Sequence, residues 1–191
     1  DQGDIEFSDN EIIGPVPTGL TTDGLLIRRC DKVTLNRNRV ESFNRGVWVE
    51  PDSATTQIEI RGNRFATFND MPIFIRNQTT VSATVEKIDV SDNEFRGNGT
   101  VSSTAIMKLS NKDTTFTDCF FQRNKIYSGV ASSAILQFAD EMSGANKITR
   151  ANTNDNENIA ALTLLSGTSM VTTLKQDTTF NVDHGGYSAV A

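Results

Sequence analysis

Glu59 and Asp89 are the pair of acidic residues whose placement could do chemistry. Each sits between two aliphatic residues, in Ile58-Glu-Ile60 and Ile88-Asp-Val90. If these segments stack as neighbouring strands, both carboxylates face outward, about 4.8 Å apart. Like charges at that spacing repel, which pushes one carboxyl to a raised pKa. Two carboxyl groups sharing protons unequally are what glycoside hydrolysis uses, one as acid and the other as base or nucleophile. Arg61 offers a plainer reading, in which one guanidinium two residues along neutralises both on a solvated face.

A second group of residues is apolar. Leu26, Trp48 and Phe74 each lie between two aliphatic residues in Leu25-Leu-Ile27, Val47-Trp-Val49 and Ile73-Phe-Ile75. Strand alternation sends those neighbours inward and the larger groups outward. Three large apolar side chains on one outer face exceed what a soluble monomer normally exposes. Three readings are open: a subunit interface, a platform on which sugar rings stack, or a surface under a long loop. Glu50, Asp52 and Asp70 lie close to this stripe in the sequence, and Arg45 and Arg76 flank it. These residues make it the candidate region for a saccharide with acidic or hydroxylated groups.

Other chemistry lacks its residues. The single His184 follows Asp183 in a loop-like Asp-His-Gly-Gly-Tyr segment, with no Ser or Cys at a suggestive spacing. No Gly-rich loop precedes a helix, so phosphate cradling has no basis, and no cofactor is implied. The two Cys, Cys30 and Cys119, are too few for a disulfide framework and are expected to be free. Zinc lacks partners, so no metal site is expected. Asn77-Gln-Thr and Asn98-Gly-Thr are glycosylation sequons, a match that arises easily by chance in an Asn-rich chain.

The elements that must position these residues are visible as a repeat. Ile5-Glu-Phe-Ser-Asp-Asn10-Glu-Ile12, Val33-Thr-Leu-Asn-Arg-Asn38-Arg-Val40, Ile58-Glu-Ile-Arg-Gly-Asn63-Arg-Phe65 and Ile88-Asp-Val-Ser-Asp-Asn93-Glu-Phe95 share one pattern. Cys119-Phe-Phe-Gln-Arg-Asn124-Lys-Ile126 is a fifth copy, with Cys119 in the inward apolar slot. Apolar residues two apart mark a strand, the Asn turns the chain, and the next apolar residue re-enters the core. Asn suits a corner because it tolerates the left-handed conformation and bonds to nearby main chain. A second strand follows each copy: Gly24-Leu-Leu-Ile27, Gly46-Val-Trp-Val49, Pro72-Ile-Phe-Ile75, Ala105-Ile-Met-Lys-Leu109 and Ala134-Ile-Leu-Gln-Phe138. Short strands, tight corners and uneven loops at a near-constant period describe a solenoid whose coils bury one another's apolar faces. Neither a leucine-rich consensus, nor helical periodicity, nor a six-residue beat is present.

The apolar-x-apolar-x-x-Asn-x-apolar phrase followed by Gly-apolar-x-apolar resembles the repeat of the pectate-lyase-like β-helix superfamily over roughly residues 5–140. The resemblance implies an all-β, right-handed parallel β-helix of about five to six coils. It is specific for fold and silent on chemistry, since lyases, hydrolases, epimerases, phage tailspikes and adhesins share it. Residues typical of calcium-dependent pectate lyases, and the Tyr-Gly-aromatic-Asp-Pro-His pattern of alginate epimerases, are not found. Residues 1–140 are assigned to the repeats, and 141–191 to degenerate last coils with a cap or oligomerisation element. There Asn146-Lys-Ile148 echoes Asn124-Lys-Ile126, Ala161-Leu-Thr-Leu-Leu165 echoes the second strand, and the polar residues 152–158 read as a solvated loop. Residues 166–174 and 178–182, rich in Ser and Thr, read as one or two further strands.

The 191 residues suffice for one continuous core. A net charge of −6 gives no basic surface for nucleic acid. No apolar run approaches the roughly 20 residues that span a membrane. The first repeat begins directly after Asp1-Gln-Gly-Asp, which suggests a fragment of something longer on that side. The likeness to phage tailspikes implies a homotrimer that recognises a bacterial surface polysaccharide, at a virion tail or outside the cell, with cleavage undecided. The alternatives are a non-catalytic structural or adhesive β-helix, and a monomeric secreted polysaccharide lyase or hydrolase.

Overall fold

The computed structural model describes residues 3–14, 22–77, 82–97, 105–110, 112–127, 134–139, 148–153, 155–158, 163–166 and 171–176. All regular structure among them is β-strand. The chain first lays down β1 (Ile5–Ser8), β2 (Glu11–Ile13) and β3 (Asp23–Arg28). β4 (Lys32–Asn36) and the long β5 (Arg39–Glu50) follow, then β6 (Gln57–Arg61) and the long β7 (Arg64–Ile75). β8 (Ala83–Ser91), β9 (Glu94–Arg96) and β10 (Ala105–Ser110) come next. They are followed by β11 (Thr114–Gln122), β12 (Lys125–Ile126) and β13 (Ala134–Ala139). β14 (Ile148–Thr153), β15 (Glu157–Asn158), β16 (Thr163–Ser166) and β17 (Val171–Gln176) complete the order.

The strands preceding each corner form one parallel sheet, β1-β4-β6-β8-β11-β14-β17. The others form a second sheet, in which β5 and β7 run unbroken where neighbouring coils divide into two strands. The first sheet stacks seven strands, so the coil number differs slightly from the five to six expected. Alternation places Val33, Leu35, Ile58, Ile60, Ile88 and Val90 in the core, facing Val47, Val49, Ile73 and Ile75 of the second sheet. Full burial of such a side chain contributes about 1.5–3 kcal/mol. Phe65 and Phe95 stack with ring centroids 5.3 Å apart, and Phe121 lies 6.2 Å from Phe95. Gly opens the second strand because a Cβ on Gly24 or Gly46 would lie 2.6 Å from the next coil's carbonyl oxygen.

Cys119 fills its inward slot beside Ile88, and both Cys are free and buried. Burial pushes the Cys30 thiol up to about 11 and raises Cys119 further, so neither is poised as a nucleophile.

The corners differ from expectation in which residue bends. The left-handed backbone belongs to the residue before each Asn: Asp9, Arg37, Gly62, Asp92, Arg123 and Asp155. The Asn acts through its side chain instead. Asn63 donates from its main-chain N–H (2.8 Å) and its Nδ2 (3.0 Å) to Oδ1 of Asn93. The second Nδ2 hydrogen goes to the carbonyl of Leu35 in the preceding coil, at 2.9 Å. Asn38, Asn93 and Asn124 repeat this pattern, and Asn10 and Asn156 end the ladder. The main-chain carbonyl oxygens of Asn10, Asn38, Asn63, Asn93 and Asn124 accept the main-chain N–H that follows the next Asn, as Asn63 does from Glu94 at 2.8 Å. Only a side-chain amide both accepts and donates in this way; an aspartate lacks the donors.

Asn156 adds a further rung to the ladder, so the described residues of the polar stretch 152–158 form a corner between strands and not a solvated loop. Asn152 and Thr153 end β14, and Glu157–Asn158 form β15, paired with β12. At the repeat's two apolar positions β14 carries Ala151, in register with Cys119, and Thr153, residue types too small or polar to mark the period. Asn146, the other apparent echo, lies outside the described residues, as do residues 178–182. Thr163–Ser166 is a strand, in register with β13, and part of residues 166–174 lies in β17.

The ladder predicts a large local effect. Asn93→Ala strands the donors of Asn63 and the carbonyl of Ile60, each buried group costing about 1–3 kcal/mol. The urea midpoint should fall well below that of the parent, and Asn93→Asp should not restore it. A midpoint unchanged by Asn93→Ala would count against the ladder as a structural requirement.

Candidate functional site

The outer face of the first sheet carries Glu59 and Asp89 in direct register, as their spacing implied. Asp89 is only 4% exposed despite facing outward. Arg61 donates from Nη2 to Asp89 and lies 4.0 Å from Glu59. That hydrogen bond raises the Arg61 pKa above its ordinary value. Lys87 completes the group, its Nζ 3.8 Å from Glu59 and 3.6 Å from Asp89. Ser91 donates to Asp89 at 2.8 Å, and Gln57 donates to Glu59. Two carboxylates and two cations sum to zero. This offsets the like-charge repulsion on which an acid–base pair depends, and Arg61 does what the plainer reading proposed. Lys87 escaped the sequence reading, although its place two residues before Asp89 gives it the same outward direction.

The second stripe is in register too, Leu26 beside Trp48 and Trp48 beside Phe74. Of its three members only Leu26 is exposed, so the stripe is a largely covered face, and the cover is supplied by side chains rather than by a long loop. Trp48 and Phe74 are 6% and 8% exposed, and they form a small cluster with Met71, separate from the main core. Their rings lie 5.4 Å apart. The Arg45 guanidinium sits 4.0 Å from the Trp48 centroid, held by Asp23 at 2.6 and 3.1 Å. Lys108 lies 5.8 Å from the Phe74 centroid, and the Trp48 Nε1–H donates to the carbonyl of Arg76 at 3.4 Å. The chain covers its own rings because two long cationic side chains fold over them, Lys108 from the same column and Arg45 from the neighbouring Asp23–Arg45–Met71 column. Only Leu26 stays exposed, at 43%.

The charged residues named beside the stripe divide. Asp70 stands at a bulge, where Asn69 and Asp70 oppose Asn44 alone. Burial raises its pKa, with Arg45 and Lys108 pulling it back and Asp23 adding to the rise. Glu50 is buried and paired with Arg28 at 2.5 Å. Asp52 belongs to a turn, its Oδ1 accepting from the Ala54 N–H at 3.0 Å. The structure therefore brings Arg45, Asp70 and the aromatic pair together, and leaves Glu50 and Asp52 to other contacts. Among the described residues no three His, Cys, Asp or Glu side chains gather as metal ligands would.

The family described as a right-handed β-helix region matches residues 1–188. The chain belongs to the right-handed β-helix family. Among curated proteins and solved structures nothing matches it. Membership establishes the fold and leaves the chemistry of the outer faces open. In this β-helix Asn77 is fully buried, with its amide 3.5 Å from the Asp113 carbonyl, so the first sequon offers no accessible acceptor. His184 and the sequon at Asn98 lie outside the described residues.

Two outcomes are expected. Trp48 is the chain's single tryptophan, so its emission should be blue-shifted and poorly quenched by acrylamide, and Arg45→Ala should increase quenching. Quenching of the parent like that of free indole would contradict the covered geometry. For Asp70, a raised folded pKa means that stability falls as pH rises from the ordinary 3.8 through the folded value, and the loss is complete above it. Asp70→Asn should thus raise the unfolding midpoint at pH 7, and its advantage should vanish below pH 3.8. A variant that is no more stable at pH 7 would show that Arg45 and Lys108 outweigh burial.

Proposed function

We propose that this chain is a glycan-recognising β-helix of the phage-tailspike kind, trimeric, working at a virion tail or outside the cell on a bacterial surface polysaccharide. The observation that carries the reading is the group of Glu59, Asp89, Arg61 and Lys87 on the outer face of the first sheet. Sugar hydroxyls donate and accept at once, so they favour surfaces where donors and acceptors alternate closely. Stacked strands repeat every 4.7–4.9 Å or so, which spaces such groups along the fibre axis of an extended polymer. The ion pairs also hold the side chains in place beforehand, so little freedom is lost on binding. With both carboxylates engaged by cations, the geometry favours binding without cleavage.

A second reading is a structural or adhesive β-helix. It is favoured by Leu26 and Ile13, which are 43% and 57% exposed on the same coil, both strands pairing with β5, and suit a seam between subunits. Light scattering that shows a trimer, with no polysaccharide bound, would select it.

The test is retention on a panel of immobilised bacterial capsular and O-antigen polysaccharides. At least one should be retained without release of reducing ends. Lys87→Ala should weaken retention about ten-fold, the loss of one charge-assisted hydrogen bond, with little change in unfolding midpoint. Failure to retain any polysaccharide overturns the proposal.

A further inference from the structure

Among the described residues, one ring faces outward with neither a ring nor a cation over it. Phe120 lies between Cys119 and Phe121, which are 4% and 1% exposed, so strand alternation directs Phe120 away from the core. It is partly exposed. Trp48, Phe74 and Tyr127 each have a cation over the ring, whereas among the described residues neither a ring nor a cation lies over Phe120.

Its surroundings are polar on all four sides. Asp89 precedes it and Asn152 follows it in register across β8, β11 and β14. Along its own strand, Asp118 and Gln122 share its outward direction. Asp118 is fixed by a two-pronged contact from Arg150, at 2.5 and 2.7 Å. The Asn152 Oδ1 is buried and makes no hydrogen bond, so turning the amide outward to a ligand gives that oxygen a partner and costs it none. A protein interface would surround an exposed phenyl with further apolar groups. An isolated ring framed by hydroxyl-binding side chains fits a ligand with one apolar face and a polar rim.

We propose that Phe120 is the stacking platform for a neutral pyranose unit of the bound glycan, with Asn152 and Gln122 taking its hydroxyls. This rests on the glycan reading above and places its aromatic contact on the first sheet, not on Trp48 and Phe74. The ring lies one coil beyond Asp89, in the same row as Glu59, so one extended chain crosses both the charged group and the ring.

The experiment is saturation-transfer NMR with methyl β-D-galactopyranoside and methyl α-L-rhamnopyranoside, together with retention on the polysaccharide panel. The C–H protons on one sugar face should receive the strongest saturation. Phe120→Leu, which keeps an apolar group but removes the flat ring, should lose that signal and weaken polysaccharide retention about five- to ten-fold. Phe120→Trp should preserve both. Unfolding midpoints near that of the parent establish that the variants are folded, and Phe120→Met, which also lacks the flat ring, replaces Phe120→Leu if it is not. If Phe120→Leu retains polysaccharide as the parent does, the platform is wrong while the glycan reading stands. If the parent retains no polysaccharide, both fall. A Phe120→Leu variant that changes solution mass without changing sugar contact would make the ring a subunit contact and overturn the proposal.

Discussion

A chain that turns a corner inside a stack must satisfy the polar groups that the turn buries, because each one left unpaired costs about 1–3 kcal/mol. Here the side-chain amides of Asn10, Asn38, Asn63, Asn93, Asn124 and Asn156 meet that demand, each bridging to the coil above or below. Their separations of 28, 25, 30, 31 and 32 residues show what the ladder tolerates. Loop length varies from coil to coil while the corner stays in register. The first sheet, the apolar alternation behind it and the outward rows of side chains all inherit their alignment from these contacts.

Alignment turns sequence positions into columns, and neighbours within a column must coexist at strand spacing. Opposite charges meet repeatedly: Asp9 with Arg37, Asp92 with Arg123, Asp118 with Arg150, Lys125 with Glu157. Exposed pairs of this kind add little to stability because solvent screens them. Their greater use is to disfavour a slipped register, which would bring like charges together. Glu59 over Asp89 is a like-charge step, and Arg61 and Lys87 close it. A surface neutralised in this way is rich in hydrogen-bond donors and acceptors, which is what the proposed glycan reading rests on.

The aromatic residues show how the same outward direction leads to different fates. Trp48 and Phe74 point away from the core, yet Arg45, Met71 and the main chain of Arg76 enclose them. Phe120 also points outward but has short or already paired neighbours, and keeps an open face. Direction decides between them: the Arg45 guanidinium, though held by Asp23, lies across Trp48, whereas the Arg150 guanidinium is directed to Asp118.

Much of the fold was legible because strand alternation and the recurring Asn are local patterns. Ile58, Ile60 and Gly46 could be placed without coordinates, as could Cys119 in its inward slot and the facing of Glu59 and Asp89. The repeat at Asn156 was not legible, because Ala151 and Thr153 hide the apolar beat on which period detection depends. Nor could the residue before the Asn be identified as the one that bends, since Asp9, Arg37 and Gly62 have nothing chemical in common. The sequence by itself therefore determined the periodicity, the inward and outward sets and the rows of stacked side chains, all of which follow from two-residue alternation and a coil-length repeat. Tertiary structure alone decided which outward groups are covered, which charges close which pairs and which ring stays open. Those outcomes depend on how far long side chains reach across columns, and reach is a property of three-dimensional neighbours.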